Sequence, residues 1–409
     1  MTIPSPLVMR KFIETGLVAK RSGASMRMSA GVILTTILTA CAVVKIDHVS
    51  VPAALVANAS VPDFETARTW ADDPSPAFME TGNLRLAQAQ KSGIGRKRDI
   101  SILALSGGSS DGAFGAGILS GWTDRGDRPE FEIVSGVSTG AMIAPLAFLG
   151  SDYDDQLKDF YTTITTKDVL RKTILGGVLG GGASLTSSKP LAGIIADVID
   201  AEFMEKIAQE HEKGRRLFVI TTNIEAERPV VWNMGQIATH RSLPALELFR
   251  SAILASASIP GAFPPVPIKV SAGGRIYTEL HVDGGATTNV FLAPVDVSLP
   301  SRVLARRVSI YVIRNGKLSP EYKPLKPVTF QIAGKAISTM IKYQNNADVR
   351  RLQELARRNH FGLRIVSIPA EFDVESSEPF DKEYMNSLFD FGYTMGLSGE
   401  LWTDDPKIF

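Results

Sequence analysis

Apolar positions along the chain fall into two textures, and the change comes at Asp99. Beyond it stand short unbroken apolar runs: ISILALS from Ile100, FEIVSG from Phe131, RLFVITTNI over 216–224, VSIYVIRN over 308–315 and LRIVSIP over 363–369. Their length and β-branched content predict strands buried on both faces. Helical spacing predicts helices at 189–200, 244–257 and 331–358, and GAFGAGILSGWTD from Gly112 has the same character. A further helix is expected from Thr139 to Leu149, bent at Pro145. Strands alternating with helices predict an α/β domain around a mostly parallel sheet.

Ala42 to Arg98 carries prolines at 52, 62, 74 and 76 and no sustained period, which predicts a tether and a surface segment. The run ILGGVLGGGASLTSS (174–188) is apolar and glycine-rich at once, readable as a flap over a lipid-accepting site or as a flexible connection. Charge adds little. Lys and Arg total 44 against 43 Asp and Glu, with no basic tract, so no nucleic-acid partner is expected.

The single cysteine changes the picture more. Cys41 has no internal disulfide partner, and it ends MRMSAGVILTTILTAC: a positive start at Arg27, an apolar centre and a small-residue approach. That is the shape of a secretory signal, short for a membrane span. Leu38-Thr39-Ala40-Cys41 resembles the lipobox of bacterial lipoproteins, which implies lipidation at Cys41. The alternatives are a short anchor helix or a buried thiol. Met26 or Met28 would then be the true start. The organisation expected is a signal over 1–41, the tether and surface segment over 42–98, and a catalytic domain over 99–409 with its motifs in 100–300. The lipobox further implies an envelope protein, anchored in a bacterial membrane and facing the periplasm.

Candidate chemistry gathers at two glycine turns. LALSGGSSDGAFGAG (103–117) reads as strand, glycine turn and helix start, a junction that aims backbone N–H groups at one point with a helix dipole behind them. Such a point binds a phosphate or an ester oxyanion; no Gly-Lys-Ser/Thr is present, and Gly115-Ala-Gly117 continues to Ser120 as an imperfect dinucleotide fingerprint. Gly136-Val137-Ser138-Thr139-Gly140 fits G-x-S-x-G, a strand-to-helix turn that holds a serine exposed for attack. Ser138 needs a base. Among the five histidines, His360 in RRNHFG would complete the order Ser138, Asp283, His360, and His281 sits two residues before Asp283. The rival base is Asp283 itself, emerging from YTELHVDGGATTNV (277–290) straight into Gly284-Gly285, a turn too small to shield it.

The glycine loop, G-x-S-x-G and Asp-Gly-Gly, in that order, resemble the patatin-like phospholipase family, and ILASASIPGAFPPV (253–266) resembles a fourth stretch of it. The resemblance covers about residues 100 to 300. It implies a three-layer α/β/α sandwich, lipid acyl-ester substrates such as phospholipids, and a dyad of Ser138 as nucleophile and Asp283 as base. It implies an oxyanion hole from Gly107, Gly108, Ser109 and Gly112. Two positions depart from the family's Asp-Gly-Gly-Gly-x-Arg/Lys-Gly: Ser109 replaces the third glycine, and Asp111 the basic residue. The lost cation argues against an anionic headgroup and leaves a neutral ester open. No metal pattern is present, so catalysis without metal or cofactor is expected. The expected partners are the lipid substrate and, through the anchor, a membrane surface, with no protein partner. Rival readings are a non-catalytic lipid-binding lipoprotein, a Ser-His-Asp esterase using His360, and an acyl transferase. After residue 300 no role beyond packing is expected.

Overall fold

Among the described residues of the computed structural model, nine strands form one mixed sheet. The structure describes residues 48–73, 76–94, 99–172, 184, 186–292 and 307–406. The expected signal with Cys41, and most of the glycine-rich run 174–188, lie outside them. The strands are β1 (Arg68–Trp70), β2 (Asp99–Leu105), β3 (Ile133–Val137), β6 (Arg216–Asn223), β7 (Arg228–Asn233), β8 (Val266–Ala272), β9 (Arg275–Asp283), β10 (Arg307–Lys317) and β11 (Gly362–Ile368). A separate ribbon pairs β4 (Arg171–Lys172) with β5 (Thr186–Ser187).

The parallel centre runs β6-β3-β2-β10-β11. Antiparallel strands extend it: β7 and then β1 on one edge of β6, and β9 with β8 beyond the end of β3. Alternation along β2 shows why these runs need cover on both faces. Leu103 and Leu105 join the larger core, with Phe114, Ile143, Phe249, Ile253 and Leu388 from helices on one side of the sheet. Ile100, Ile102 and Ala104 face the other way, onto Val349, Leu352 and Leu355 of the helix Thr329–Asn359. Helices therefore cover both faces of a mostly parallel sheet, the α/β/α arrangement expected.

The segment before Asp99 is more than a tether. Its three-residue strand β1 forms the sheet edge beside β7, Ala67, Ala71 and Ala89 are buried, and Arg68 forms a buried ion pair with Glu279. Three residues carry no readable period, which is why the pattern before Asp99 conceals a strand. The expected helix at Thr139–Leu149 runs through Pro145 as one element. Among the described residues no helix is long and apolar enough to cross a membrane.

One dimension matters for the site. The helix Thr329–Asn359 has 31 residues, about 46 Å at the α-helical rise. The seven-residue strand β11 that follows it spans only about 23 Å. The apolar side chains that meet the sheet lie in the C-terminal part of the helix, so its N-terminal part overhangs the carboxyl ends of the strands.

Candidate active site

Ser138 and Asp283 meet because two strands share one edge of β6. β3 pairs with β6 as far as Val137 opposite Ile220. The next residue of β6, Thr221, is opposite Asp283 at the end of β9. One strand leaves the edge where the other arrives, so Ser138 and Asp283 line the same cleft, near enough for the serine to hold down the carboxyl's pKa. Gly284 follows because a Cβ there would press on the Ile220 carbonyl and on Val137.

The turn around Ser138 has the strain its pattern predicts. Ser138 holds φ 55 and ψ −124, in the positive-φ region that favours glycine. A Cβ at Gly136 would collide with the Gly140 carbonyl, and one at Gly140 with the Leu105 carbonyl, so both flanking glycines are obligatory. The stretch resembling the family's fourth motif holds both partners. Ser256 Oγ accepts the Ser138 amide at 2.9 Å and donates to Ile220 O at 2.6 Å. The Asp283 amide donates to Ser258 O at 2.9 Å.

The glycine loop corrects two of the four expected oxyanion donors. The Gly107 amide is already engaged, donating to Asn289 Oδ1 at 2.8 Å. That of Gly112 points back to the carbonyls of Ser109 and Ser110 inside a short 3-10 turn. The amides of Gly108 and Ser109 have no such partner among the described residues, and both residues line the cleft beside Ser138. Ser109 takes φ 55, so the position where the family has its third glycine keeps a glycine-like backbone under a serine side chain. The loop is fixed from β10: Asn315 Nδ2 donates to Ser106 O, and Asn315 N to Ser106 Oγ, both at 2.8 Å. A Cβ on Gly108 would strike the Asn315 carbonyl. Asn289 is fixed in turn by Asp348, whose Oδ2 accepts the amides of Asn289 and Val290 at 2.7 and 3.2 Å.

The cleft has a volume of about 550 Å³, with the loop, Ser138 and Asp283 on one side and residues 337–345 of the overhanging helix on the other. Burial pushes the Asp283 carboxyl up to about 6, against the opposing influence of Ser138 and of the Gly285 amide, which donates to Oδ1 at 2.7 Å. That places its proton affinity where a carboxylate can accept a serine proton and return it.

Asp111 stands where the family carries a basic residue, and burial likewise raises it to about 6 while the Tyr384 hydroxyl donates to it at 2.7 Å. A cation nevertheless reaches this corner of the cleft from another strand. The guanidinium of Arg314 lies near Asp111, buried, with Nε and Nη1 lacking hydrogen-bond partners among the described residues. Burial lowers its pKa to about 10, with Asp111 and Glu321 opposing. The expectation that Asp111 leaves the hole without a nearby positive charge is thus corrected, because β10 lies outside the matched motifs.

Neither histidine is placed to act as base. His360 is exposed and caps the C-terminus of the helix Thr329–Asn359, just before β11 begins. In a parallel sheet that is the amino edge, opposite the carboxyl edge that carries Ser138. His281 is fully buried, with Nδ1 2.9 Å from Thr221 Oγ1 and Nε2 3.0 Å from Glu279 Oε2. Burial holds its pKa down despite that carboxylate.

Sequence reasoning missed Ser256, Asn289, Arg314, Asn315 and Asp348. Two signals were available: Ser256 and Asn289 sit inside motif stretches already singled out, and the Arg-Asn pair closes a buried strand at its carboxyl end, where α/β sheets gather ligand groups.

The model of the patatin-like phospholipase family matches residues 103–296. Among curated proteins no sequence matches the chain. Among solved structures, VipD from Legionella pneumophila aligns over 74% of this chain and 67% of its own, at 12% identity and a TM-score of 0.39. The matched stretch contains the end of β2 and the glycine loop, the Ser138 turn and the β9 terminus with Asp283. Residues 103–296 are thus similar to the patatin-like phospholipase family.

Proposed function

We propose that this protein hydrolyses acyl esters of lipids through a Ser138–Asp283 dyad, and that the lipid is a phospholipid or another acyl ester. The observation that carries the reading is that the register of β3 and β9 along β6 brings Ser138 and Asp283 into one cleft with the unengaged amides of the glycine loop.

Asp283 takes the hydroxyl proton as Ser138 Oγ attacks the ester carbonyl. The carbonyl electrons move onto oxygen, and the oxyanion is held by the amides of Gly108 and Ser109. Removing one such donor from comparable sites costs roughly 2.7–4 kcal/mol. When the tetrahedral centre collapses, the bond from the acyl carbon to the alkoxy oxygen breaks and the alcohol leaves with the proton from Asp283. Water then attacks the acyl-serine, losing its proton to Asp283, and the fatty acid departs as Ser138 is reprotonated. His281 and His360 take no part. Lipidation at Cys41 and attachment to a bacterial envelope membrane facing the periplasm complete the proposal.

The test is a short-chain chromogenic ester, with phospholipid vesicles alongside. Ser138→Ala and Asp283→Asn should each abolish turnover, while His360→Ala and His281→Ala retain most of it, fold being checked by circular dichroism. A loss of about 10³-fold or more in His360→Ala would replace the dyad by a triad; serine-independent turnover, or none on either substrate, would remove the enzyme reading.

A further inference from the structure

The overhanging part of the helix Thr329–Asn359 and the loop leading into it carry a surface that the dyad does not explain. Tyr322 is 95% exposed and Met340 71%, and Leu325, Val328, Ile332 and Tyr343 are also exposed. At roughly 100° per residue, Ile332, Met340 and Tyr343 fall within about a quarter of the helix circumference, and Val328 is the extended residue that caps its start. Lys335 and Lys342 border that arc on one side. On the other, Ile337 and Ile341 turn into the cleft wall, so the apolar strip is continuous with the entrance to Ser138.

Charge indicates what covers this strip. From Lys317 to Tyr343 the chain holds five lysines, at 317, 323, 326, 335 and 342, against a single acid, Glu321. Glu321 is shared by Lys342 at 2.6 Å and Lys317 at 3.7 Å. A contiguous apolar arc edged by lysines is suited to a surface that offers hydrocarbon beneath negative charge, as an anionic bilayer does. The whole-chain charge is +1, so the excess of lysine is local to this segment.

We infer that residues 317–343 form a docking surface for anionic lipid bilayers, seating the mouth of the cleft on the membrane. The surface lies beyond the matched stretch 103–296 and needs no lipid on Cys41. It deepens the proposed function by giving a bilayer-resident ester a route to Ser138, and binding can be measured without turnover.

The experiment uses the full chain carrying Cys41→Ala and Ser138→Ala, so that neither an anchor nor hydrolysis contributes. Co-sedimentation is measured with phosphatidylcholine vesicles and with the same vesicles containing phosphatidylglycerol. Binding is expected only with the anionic vesicles, weakening as salt rises. The triple change Tyr322→Glu, Leu325→Glu and Ile332→Glu should lower it at least tenfold. These three side chains lie outside the cleft, so with Ser138 restored the triple variant should keep its rate on a soluble short-chain ester. Equal sedimentation of the triple variant, or none of the parent protein with anionic vesicles, overturns the inference. So does a concentration-dependent dimer in light scattering that the triple change dissolves, since a second copy would then be the occupant. If the soluble ester is not turned over but sedimentation behaves as expected, the docking surface stands and the dyad reading fails.

Discussion

Asn289 Oδ1 accepts the amide hydrogen of Gly107 at 2.8 Å, bridging residues 182 positions apart. The bond fixes the glycine loop to the segment that follows Asp283, so one side chain aligns the proposed oxyanion donors with the proposed base. Asn289→Ala should therefore lower kcat for a soluble ester by about 10–100-fold, the scale on which a small misplacement costs rate, with a smaller change in KM. Asn289→Asp keeps the acceptor but sets a second carboxylate beside Asp283. It should restore loop position while moving the pH profile to higher pH. Equal kcat in the parent and Asn289→Ala would refute the positioning role.

The pH dependence follows from Asp283. Burial raises its carboxyl to about 6, and only the ionised form can accept the Ser138 proton. The rate constant kcat/KM should rise with pH through about 6 and level off above it. Asp111 titrates in the same range, raised by its own burial. The profile of Asp111→Asn should accordingly keep the Asp283 limb. A profile flat from pH 4 to 8 would exclude Asp283 as the proton acceptor.

The same raised value has a stability consequence of opposite sign to that of an ion-paired carboxylate. With a folded pKa of about 6 against about 3.9 for an ordinary aspartate, the folded protein binds the proton more tightly than the unfolded chain. The charged buried form is thus a penalty, absent below about pH 4, growing through the interval and fully present above about 6. Asp283→Asn removes the charge while keeping an acceptor for the Gly285 amide. It should melt higher than the parent at pH 7.5, by a margin that closes as the pH falls to 4. A lower melting temperature at pH 7.5 would contradict this.

What the sequence disclosed, and what it withheld, divides by how far each contact reaches. The buried strands and the G-x-S-x-G turn are written in consecutive residues, because a strand period and a glycine pair at ±2 are local constraints. The meeting of Ser138 with Asp283 follows from strand order; the sequence offered Asp283 as one candidate base beside the histidines, and the resemblance singled it out. Asn289, Asn315 and Asp348 act by hydrogen bonds across the fold, and no local pattern distinguishes them from other polar residues. The status of Gly107 was misread for the same reason. Its amide looks free in the loop and is taken by a residue far along the chain. β1 was hidden by its shortness and Arg314 by lying outside any motif.

The two elbow glycines make the final prediction. Gly136 faces the Gly140 carbonyl so closely that a Cβ would collide with backbone atoms, which cannot swing aside as a side chain could. Gly136→Ala must therefore displace either β3 or the helix Thr139–Leu149, and should cost about 3 kcal/mol, the upper end of ordinary overpacking penalties. Gly193 is the control. It lies within the helix Lys189–Val198 with nothing within 4 Å of a Cβ. Gly193→Ala should stabilise by about 0.5–1 kcal/mol through helix propensity. Urea denaturation of both variants reads the difference. Because the elbow also sets the angle of Ser138, residual folded Gly136→Ala should lose activity out of proportion to its folded fraction. A variant that folds with parental stability would mean that β3 and the helix can separate at the turn, and the geometry at Ser138 would then not depend on glycine.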